Sequence, residues 1–469
     1  MTSSEPSALR AVILAAGLGT RMRSRLPKVL HPICGRPMLA YVIDAGTEAT
    51  GDRPMVVYSP ATEQLRGVFA DRADFALQQE PRGTADALQA GLAAIDAGVE
   101  EIVVLSGDTP LVRPWLVTRT IEMLRENSAP MALVAMQLDD PTGYGRVNLL
   151  GGRADRIVEE KDADDTDKAT TLVNAGVYAF LVPWLRDALL RLTPSPATGE
   201  LYLTQLVELA RNEGNPAAVV GVDEPIDYWA VGGVNDRLDL QRMARRIGRQ
   251  ILERHMRAGV TVLDPETTTI EAAVEIAEDV TIEPNVVLRG QTRIGRDTVL
   301  RSGSQVLDSE VGERCIVWSS VIERSKVGND VKIGPFAHLR PGCDVGDGAE
   351  IGNYAEQKAT RFGARSKQHH FSYLGDAEVG ADVNIGAGTI TANYDGQAKH
   401  RTVIGDRAFI GSDTILRAPV SVGEDAVTGA GSVVTRDVPP GKLAVGVPAR
   451  IRSRRGEIAA DDGGGEPGS

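Results

Sequence analysis

The chain has few aromatic residues, few cysteines and histidines, and no long apolar run. Only 4% of its 469 residues are aromatic and six are histidine. A core built on large rings is therefore excluded, and small aliphatic side chains and tight turns must do the packing. The abundance of glycine, 50 residues, points the same way. Cys34, Cys315 and Cys343 are far apart and odd in number, which excludes a disulfide framework or zinc spacing and points to a reducing cytoplasm. No uninterrupted apolar stretch reaches the ~18 residues that suggest a membrane span. The opening stretch MTSSEPSALR has no basic region followed by an apolar run, so no signal peptide is expected. A net charge of −13 argues against nonspecific nucleic-acid binding. It leaves room for local basic pockets that take phosphate, and a metal cofactor would suit the carboxylates.

A chain this long is expected to hold two or more domains. Residues 9–235 alternate between apolar strand-like runs and helical stretches. The runs include 9–16, 55–58, 102–105, 131–136 and 173–180, and one helical stretch is 84–95. Such alternation predicts an α/β domain with a mainly parallel sheet. Residues 235–256 are highly charged, with Leu240, Met243, Ile247 and Ile251 at three- and four-residue steps. That pattern predicts one long amphipathic connecting helix with a single buried stripe.

From about residue 260 a hexad takes over. Val327, Ile333, Leu339, Val345 and Ile351 are six apart; Val379 and Ile385 follow, then Ile404, Ile410, Leu416 and Val422. Aliphatic residues every six, often followed by glycine, predict a hexapeptide β-helix with the aliphatic side chains inside. Two breaks interrupt it, at roughly 356–378 and at 391–402, and both are read as loops able to carry function. The expected domains are 1–234, a helix over 235–257, a β-helix over 258–451 and a disordered tail over 452–469.

The stretch LAAGLGTRM, residues 14–22, follows the first strand directly. Gly17 and Gly19 would let backbone N–H groups approach phosphates, or simply make a tight strand–helix turn. Arg21 and Lys28 add two cations near the same turn, either for a triphosphate or as solvated charges. Asp108 ends an apolar strand, where it could hold Mg²⁺ or cap the next element. Arg340 and Lys358 are phosphate clamps or ordinary exterior decoration.

These segments, with Pro27-Lys28, Gln78, Gly83-Thr84, Gly107-Asp108, 144–146, 159–161, 174–176 and 233–235, resemble the sugar nucleotidyltransferases. Joined to the hexads and to 370–376, 383–388, 392–396 and 410–413, the order over residues 9–450 resembles the bifunctional N-acetylglucosamine-1-phosphate uridyltransferase/glucosamine-1-phosphate acetyltransferases. The resemblance implies a Rossmann-like α/β nucleotidyltransferase domain, a connecting helix and a left-handed parallel β-helix. It implies that Leu14, Ala15, Ala16, Gly17, Arg21, Lys28, Gln78, Gly83, Thr84, Ser106, Gly107, Asp108, Gly145, Glu159, Asn174 and Asn235 hold UTP and the nucleotide sugar, with Asp108 and Asn235 on Mg²⁺. On the β-helix it implies His370 as general base, with Arg340, Lys358, Tyr373 and Asn384 on glucosamine phosphate. Ala387, Asn393, Tyr394, Ser412 and Ala430 are implied to hold acetyl-CoA. A cytoplasmic homotrimer with acetyl sites at subunit interfaces is implied too. Two departures stand out: Ser106 where some relatives carry an aromatic, and Asp86 where a histidine can stand.

Two other readings compete: a monofunctional nucleotidyltransferase with a structural β-helix, and a nonenzymatic scaffold that binds sugar nucleotides. The adjacent His369 and His370 bear on the choice. Counting hexads back from Leu374 puts Gln368 inside the coil and His369 at a corner. His370 and Tyr373 then face outward, where substrate can touch them.

Overall fold

The computed structural model describes residues 8–222 and 231–454. It divides into two compact units, Met1–Ile247 and Gly248–Ser469. The dividing point falls inside the helix Arg237–Arg257. Of its predicted stripe, Met243, Ile247 and Ile251 are buried and Leu240 is half-buried. The tail from 455 onward lies outside the described residues, and Arg452 ends a short antiparallel strand.

The first unit is built on a nine-stranded sheet. Its strands are β1 (Leu9–Leu14), β2 (Met55–Tyr58), β3 (Asp74–Leu77), β4 (Glu101–Ser106), β5 (Met131–Gln137), β6 (Arg146–Leu150), β7 (Arg153–Val158), β8 (Leu172–Leu181) and β9 (Ala218–Val222). The main order is β9-β5-β8-β4-β1-β2-β3, and only β8 in that row runs antiparallel to its neighbours. Strands β1 and β4 are apolar almost throughout because helices cover both faces of the sheet. Ala11, Ile13, Val103 and Leu105 pack into one cluster with the helix Met38–Thr50. Val12, Ile102 and Val104 pack into another with the helix Thr84–Ala93.

The strand order reverses at β1. From β1 the chain moves outward to β2 and β3, then returns to place β4 on the other side. The carboxyl ends of β1 and β4 therefore lie side by side, with Leu14 opposite Ser106 and the Gly107 N–H donating to the Leu14 carbonyl at 2.9 Å. A reversal of this kind opens a crevice for ligands at the strand ends.

The second unit is the left-handed parallel β-helix. Three parallel sheets, starting at Thr261–Val262, Thr269–Ile270 and Glu275–Ile276, form its faces. A position returns to its own face after one coil, so Ile333 stacks on Ile351. Every hexad residue named above is buried, from Val327 to Val422.

The expected break over 356–378 is not a loop. Strands run on at Ala355–Lys358, Arg361–Phe362, Lys367–Gln368, Ser372–Gly375 and Ala377–Val379. The interior positions are Gln357, Phe362, Gln368 and Leu374, all fully buried. Two of them are glutamines, which hid the repeat from a search for aliphatic residues. Pairing satisfies most of their polar atoms: Gln357 Nε2 donates to Gln368 Oε1 at 2.7 Å and Gln368 Nε2 to Ser372 Oγ at 2.9 Å, while Gln357 Oε1 is buried without a partner among the described residues. Gln368→Leu alone would strand the Gln357 amide, and is expected to cost about 1–3 kcal/mol. Replacing both glutamines with leucine should recover most of that loss, as read by chemical denaturation of the full chain. The break at 391–402 is a true extrusion, leaving the strand Ile390–Ala392 and rejoining at Thr402–Ile404.

Candidate active sites

The crevice at the ends of β1 and β4 is a cleft of about 510 Å³. Leu14, Ala15, Ala16, Gly17, Lys28, Gln78, Gly83, Thr84, Ser106 and Asp108 line it, as does Gly19. Gly107 lies between two lining residues, Ser106 and Asp108, but does not itself line the cleft. Gly83 precedes the helix Thr84–Ala93 with φ +119°, and a Cβ there would lie 2.4 Å from the Leu201 carbonyl oxygen, so only glycine fits.

The two sequence-predicted cations meet the two predicted metal ligands. Lys28 Nζ forms an ion pair with Asp108, and Arg21 Nη2 donates to Asn235 Oδ1 at 2.8 Å. Asp108 and Asn235 come from distant parts of the chain, brought together where the Val234 N–H donates to the Asp108 carbonyl at 2.9 Å. Among the described residues no cluster of three or more His, Cys, Asp or Glu side chains could hold a metal. One carboxylate and one amide oxygen do fit Mg²⁺, which keeps waters and draws its other oxygens from phosphates.

Gly145, Glu159 and Asn174 also converge. The Asn174 N–H donates to the Gly145 carbonyl at 2.9 Å, and Gly145 packs against the Glu159 carboxylate. Burial pushes the Glu159 carboxyl above the usual range, partly offset by Thr204 Oγ1 donating at 2.8 Å, while Asp162 and Glu200 push it further up. Were Glu159 to hold a sugar hydroxyl, as the resemblance implies, protonation would turn one acceptor oxygen into a donor and weaken that hold. KM for the sugar phosphate should therefore rise on acidification, at a pH above that of an ordinary glutamate. Glu159→Gln should abolish that step in a KM–pH profile.

On the β-helix, the second face carries the other cluster. Glu356 stacks beside Tyr373, and Lys358 beside Gly375. Arg340 Nη1 donates to Glu356 Oε1 at 2.9 Å, and Lys358 Nζ lies 3.7 Å from Asp376 Oδ1. The Asn393 amide also donates to Asp376. A Cβ on Gly375 would lie 2.3 Å from the Tyr373 hydroxyl and 2.7 Å from Asn393 Nδ2, so glycine there lets Tyr373 lie across the strand.

Sequence reasoning missed Lys399. It comes from the extruded loop and meets Lys358, and the hydrogen bond with that lysine, then its like charge, hold the Lys399 ammonium below its ordinary value. The signal available was a lysine inside a loop already marked as function-bearing. Two lysines this close, with Arg340 nearby, favour an anion there, set against the carboxylates of Glu356 on Arg340 and Asp376 on Lys358.

The two histidines part ways. His369 Nε2 lies 2.8 Å from Glu350 Oε2. Among the described residues nothing hydrogen-bonds the His370 ring, which stands exposed and edge-on to His369 at 6.4 Å between centroids. The corner beneath it is fixed by Ser372 Oγ donating to the His370 carbonyl at 2.8 Å. Ala387, Ser412 and Ala430 stack along one corner of successive coils, joined by Asp413 N–H to the Ala387 carbonyl at 2.6 Å and Gly431 N–H to the Ser412 carbonyl at 2.8 Å. Tyr394 is exposed on the loop, its hydroxyl donating to the Gly396 carbonyl at 2.7 Å. Asn384 is not with the cation cluster: it lies on the first face, between Lys367 and Phe409.

Residues 11–259 match the MobA-like NTP transferase domain. Residues 324–356 and 401–436 match the bacterial transferase hexapeptide (six repeats). A protein of Rubrobacter xylanophilus called bifunctional protein GlmU is 45% identical over 95% of this chain and 94% of its own length. The chain belongs to the GlmU family. GlmU proteins of Caldanaerobacter subterraneus and Listeria monocytogenes are 42% and 40% identical, each over 93% of this chain and 95% of their own length. The likeness to GlmU therefore runs through the cleft of the first unit and the histidine-bearing face of the second.

Proposed function

We propose that the chain is a bifunctional enzyme that makes UDP-N-acetylglucosamine, a precursor of peptidoglycan and other cell-envelope polymers. The β-helix transfers acetyl from acetyl-CoA to glucosamine 1-phosphate. The α/β unit then couples N-acetylglucosamine 1-phosphate to UTP and releases pyrophosphate. The observation that carries this reading is the presence, in one chain, of a cation-lined cleft at a sheet's switch point and a cation-lined face beside an exposed histidine. The assignment of domains follows it: residues 1–234 for uridylyl transfer, a helix over 235–257, and 258–451 for acetyl transfer.

In the first unit the sugar phosphate oxygen attacks the α-phosphorus of UTP, and the bond to the pyrophosphate oxygen breaks. Leu14 to Gly17 bring backbone N–H groups to the nucleotide, while Arg21 and Lys28 turn from Asn235 and Asp108 to the phosphates. Gly145, Glu159 and Asn174 hold the amino sugar. Asp108 and Asn235 hold Mg²⁺, which neutralises phosphate charge when bound. No protein nucleophile is needed, because alignment and charge neutralisation supply the rate.

In the second unit Arg340, Lys358 and Lys399 hold the sugar phosphate, with Tyr373 and Asn384 on the sugar. His370 takes the proton from the glucosamine nitrogen as it attacks the thioester carbon. The carbon–sulfur bond breaks, and the proton passes to the leaving thiolate. The column Ala387, Ser412 and Ala430, with Asn393 and Tyr394, holds acetyl-CoA.

A cytoplasmic homotrimer completes the reading. Asn384 projects from a different face than Arg340, Lys358 and Tyr373, so a neighbouring copy is needed to close one site around one sugar. The stacked and exposed Phe336 and Tyr354, 5.3 Å apart, and exposed Phe371 give such a copy an apolar edge to cover. Sedimentation at three chain masses is the expected result.

The deciding experiment supplies glucosamine 1-phosphate, acetyl-CoA, UTP and Mg²⁺, and measures free CoA and pyrophosphate separately. Both are expected, and EDTA should stop only the pyrophosphate. Absence of either product from folded protein overturns the bifunctional reading.

A further inference from the structure

Gln78 lies buried against the nucleotide cleft, only 3% exposed. Its side-chain Nε2 donates to Asp86 Oδ2 at 2.7 Å and to the Gly83 carbonyl at 3.2 Å. Both partners are pure acceptors. A carboxylate and a peptide carbonyl have no hydrogen to give, so the amide atom between them must be the NH₂ group. Turned the other way, the amide oxygen would face a negative carboxylate and two buried hydrogen bonds would be lost. Arg82 Nη2 also lies 3.4 Å from Asp86 Oδ1.

Asp86 therefore decides which way the Gln78 amide points. With Nε2 committed to two acceptors, Gln78 meets a ligand through Oε1. Among the described residues the Gly83 N–H has no acceptor, and it belongs to the residue whose carbonyl holds Nε2. The site thus offers one acceptor and one donor. The imide edge of uracil, an N3–H beside a carbonyl, answers that pair. Cytosine presents a bare N3 beside an amino group, which sets acceptor against acceptor and donor against donor.

We propose that Asp86 is a specificity-determining positioning residue. By locking the Gln78 amide, it makes the site take an imide pyrimidine and refuse an amino-pyrimidine. The inference rests on the uridylyltransferase reading of this cleft. It separates uridine from cytidine and leaves thymine, with the same imide edge, unsorted.

The test compares kcat/KM for UTP and CTP, by pyrophosphate release with N-acetylglucosamine 1-phosphate and Mg²⁺, in the full chain. Asp86→Asn can both donate and accept, so it frees the amide to flip. The preference for UTP over CTP should fall about tenfold or more. Asp86→Glu keeps an acceptor-only partner and should retain most of the preference. A purely structural role would slow both nucleotides alike, and an unchanged ratio in Asp86→Asn overturns the proposal. Equal loss of preference in Asp86→Glu and Asp86→Asn overturns it as well. Should Asp86→Asn fail to fold, Asp86→Ser, whose hydroxyl can also both donate and accept, takes its place with the same expected fall, and an unchanged ratio there overturns the proposal. No pyrophosphate from the unaltered chain with UTP would instead sink the uridylyltransferase reading itself.

Discussion

Replacing His370 with alanine is expected to slow acetyl transfer by about 10²–10⁴-fold, the usual worth of a positioned general base. An amine held as its ammonium form cannot attack a thioester, so the proton has to leave before or during attack. Imidazole suits that work because its ordinary pKa, about 6.5, lies near working pH. The ring of His370 is exposed and takes no side-chain hydrogen bond among the described residues, whereas His369 is held by Glu350. His369→Ala should therefore cost far less. Pyrophosphate release from UTP should be unchanged in both variants, because that chemistry belongs to the other unit. Loss of acetyl transfer in the 369 variant alone would reverse the assignment.

Asp108→Asn should have the opposite selectivity. The substitution keeps the shape but removes the negative charge that pairs with Lys28 and that a divalent ion needs. Metal-borne charge stabilisation in phosphoryl transfer is worth several kcal/mol. At about 1.4 kcal/mol per factor of ten, a loss of about 10²–10³-fold in pyrophosphate release follows. Release of CoA should not change. Raising Mg²⁺ should recover part of the loss, since a weakened site can still be filled by mass action. Equal activity of this variant at ordinary Mg²⁺ would remove Asp108 from the metal site.

Much of the architecture is legible from local periodicity. Strands such as Leu9–Leu14 and Glu101–Ser106 read as apolar runs, since helices cover both faces of the sheet. The interior of the β-helix reads as a hexad because each coil repeats the same three corners. The reading failed where an interior position was polar. Gln357 Nε2 donates to Gln368 Oε1 inside the β-helix, and a one-dimensional pattern of aliphatic residues has no way to register that bond.

The candidate sites divide along the same line. The glycine-containing turn after β1 and Asp108 after β4 were visible in the sequence as a strand end followed by phosphate- and metal-binding residue types. The roles of Glu159 and Asn174, and of most acetyl-site residues, came with the family resemblance. Lys399 came only with the fold, because its place beside Lys358 depends on how far the extruded loop folds back.

By itself, the sequence determined the alternation of strands and helices, the presence of the β-helix, its aliphatic inward positions and the outward direction of His370. These follow from apolar runs and from periods of three to four and of six residues, which each segment carries without help from the rest. Only the tertiary structure decided that Lys28 meets Asp108, that Arg21 meets Asn235, that Asp86 turns Gln78, and that Asn384 stands apart from the cation cluster. Those relations join different strands, loops and coils, and the stacking of the sheet and of the β-helix sets the distances between them.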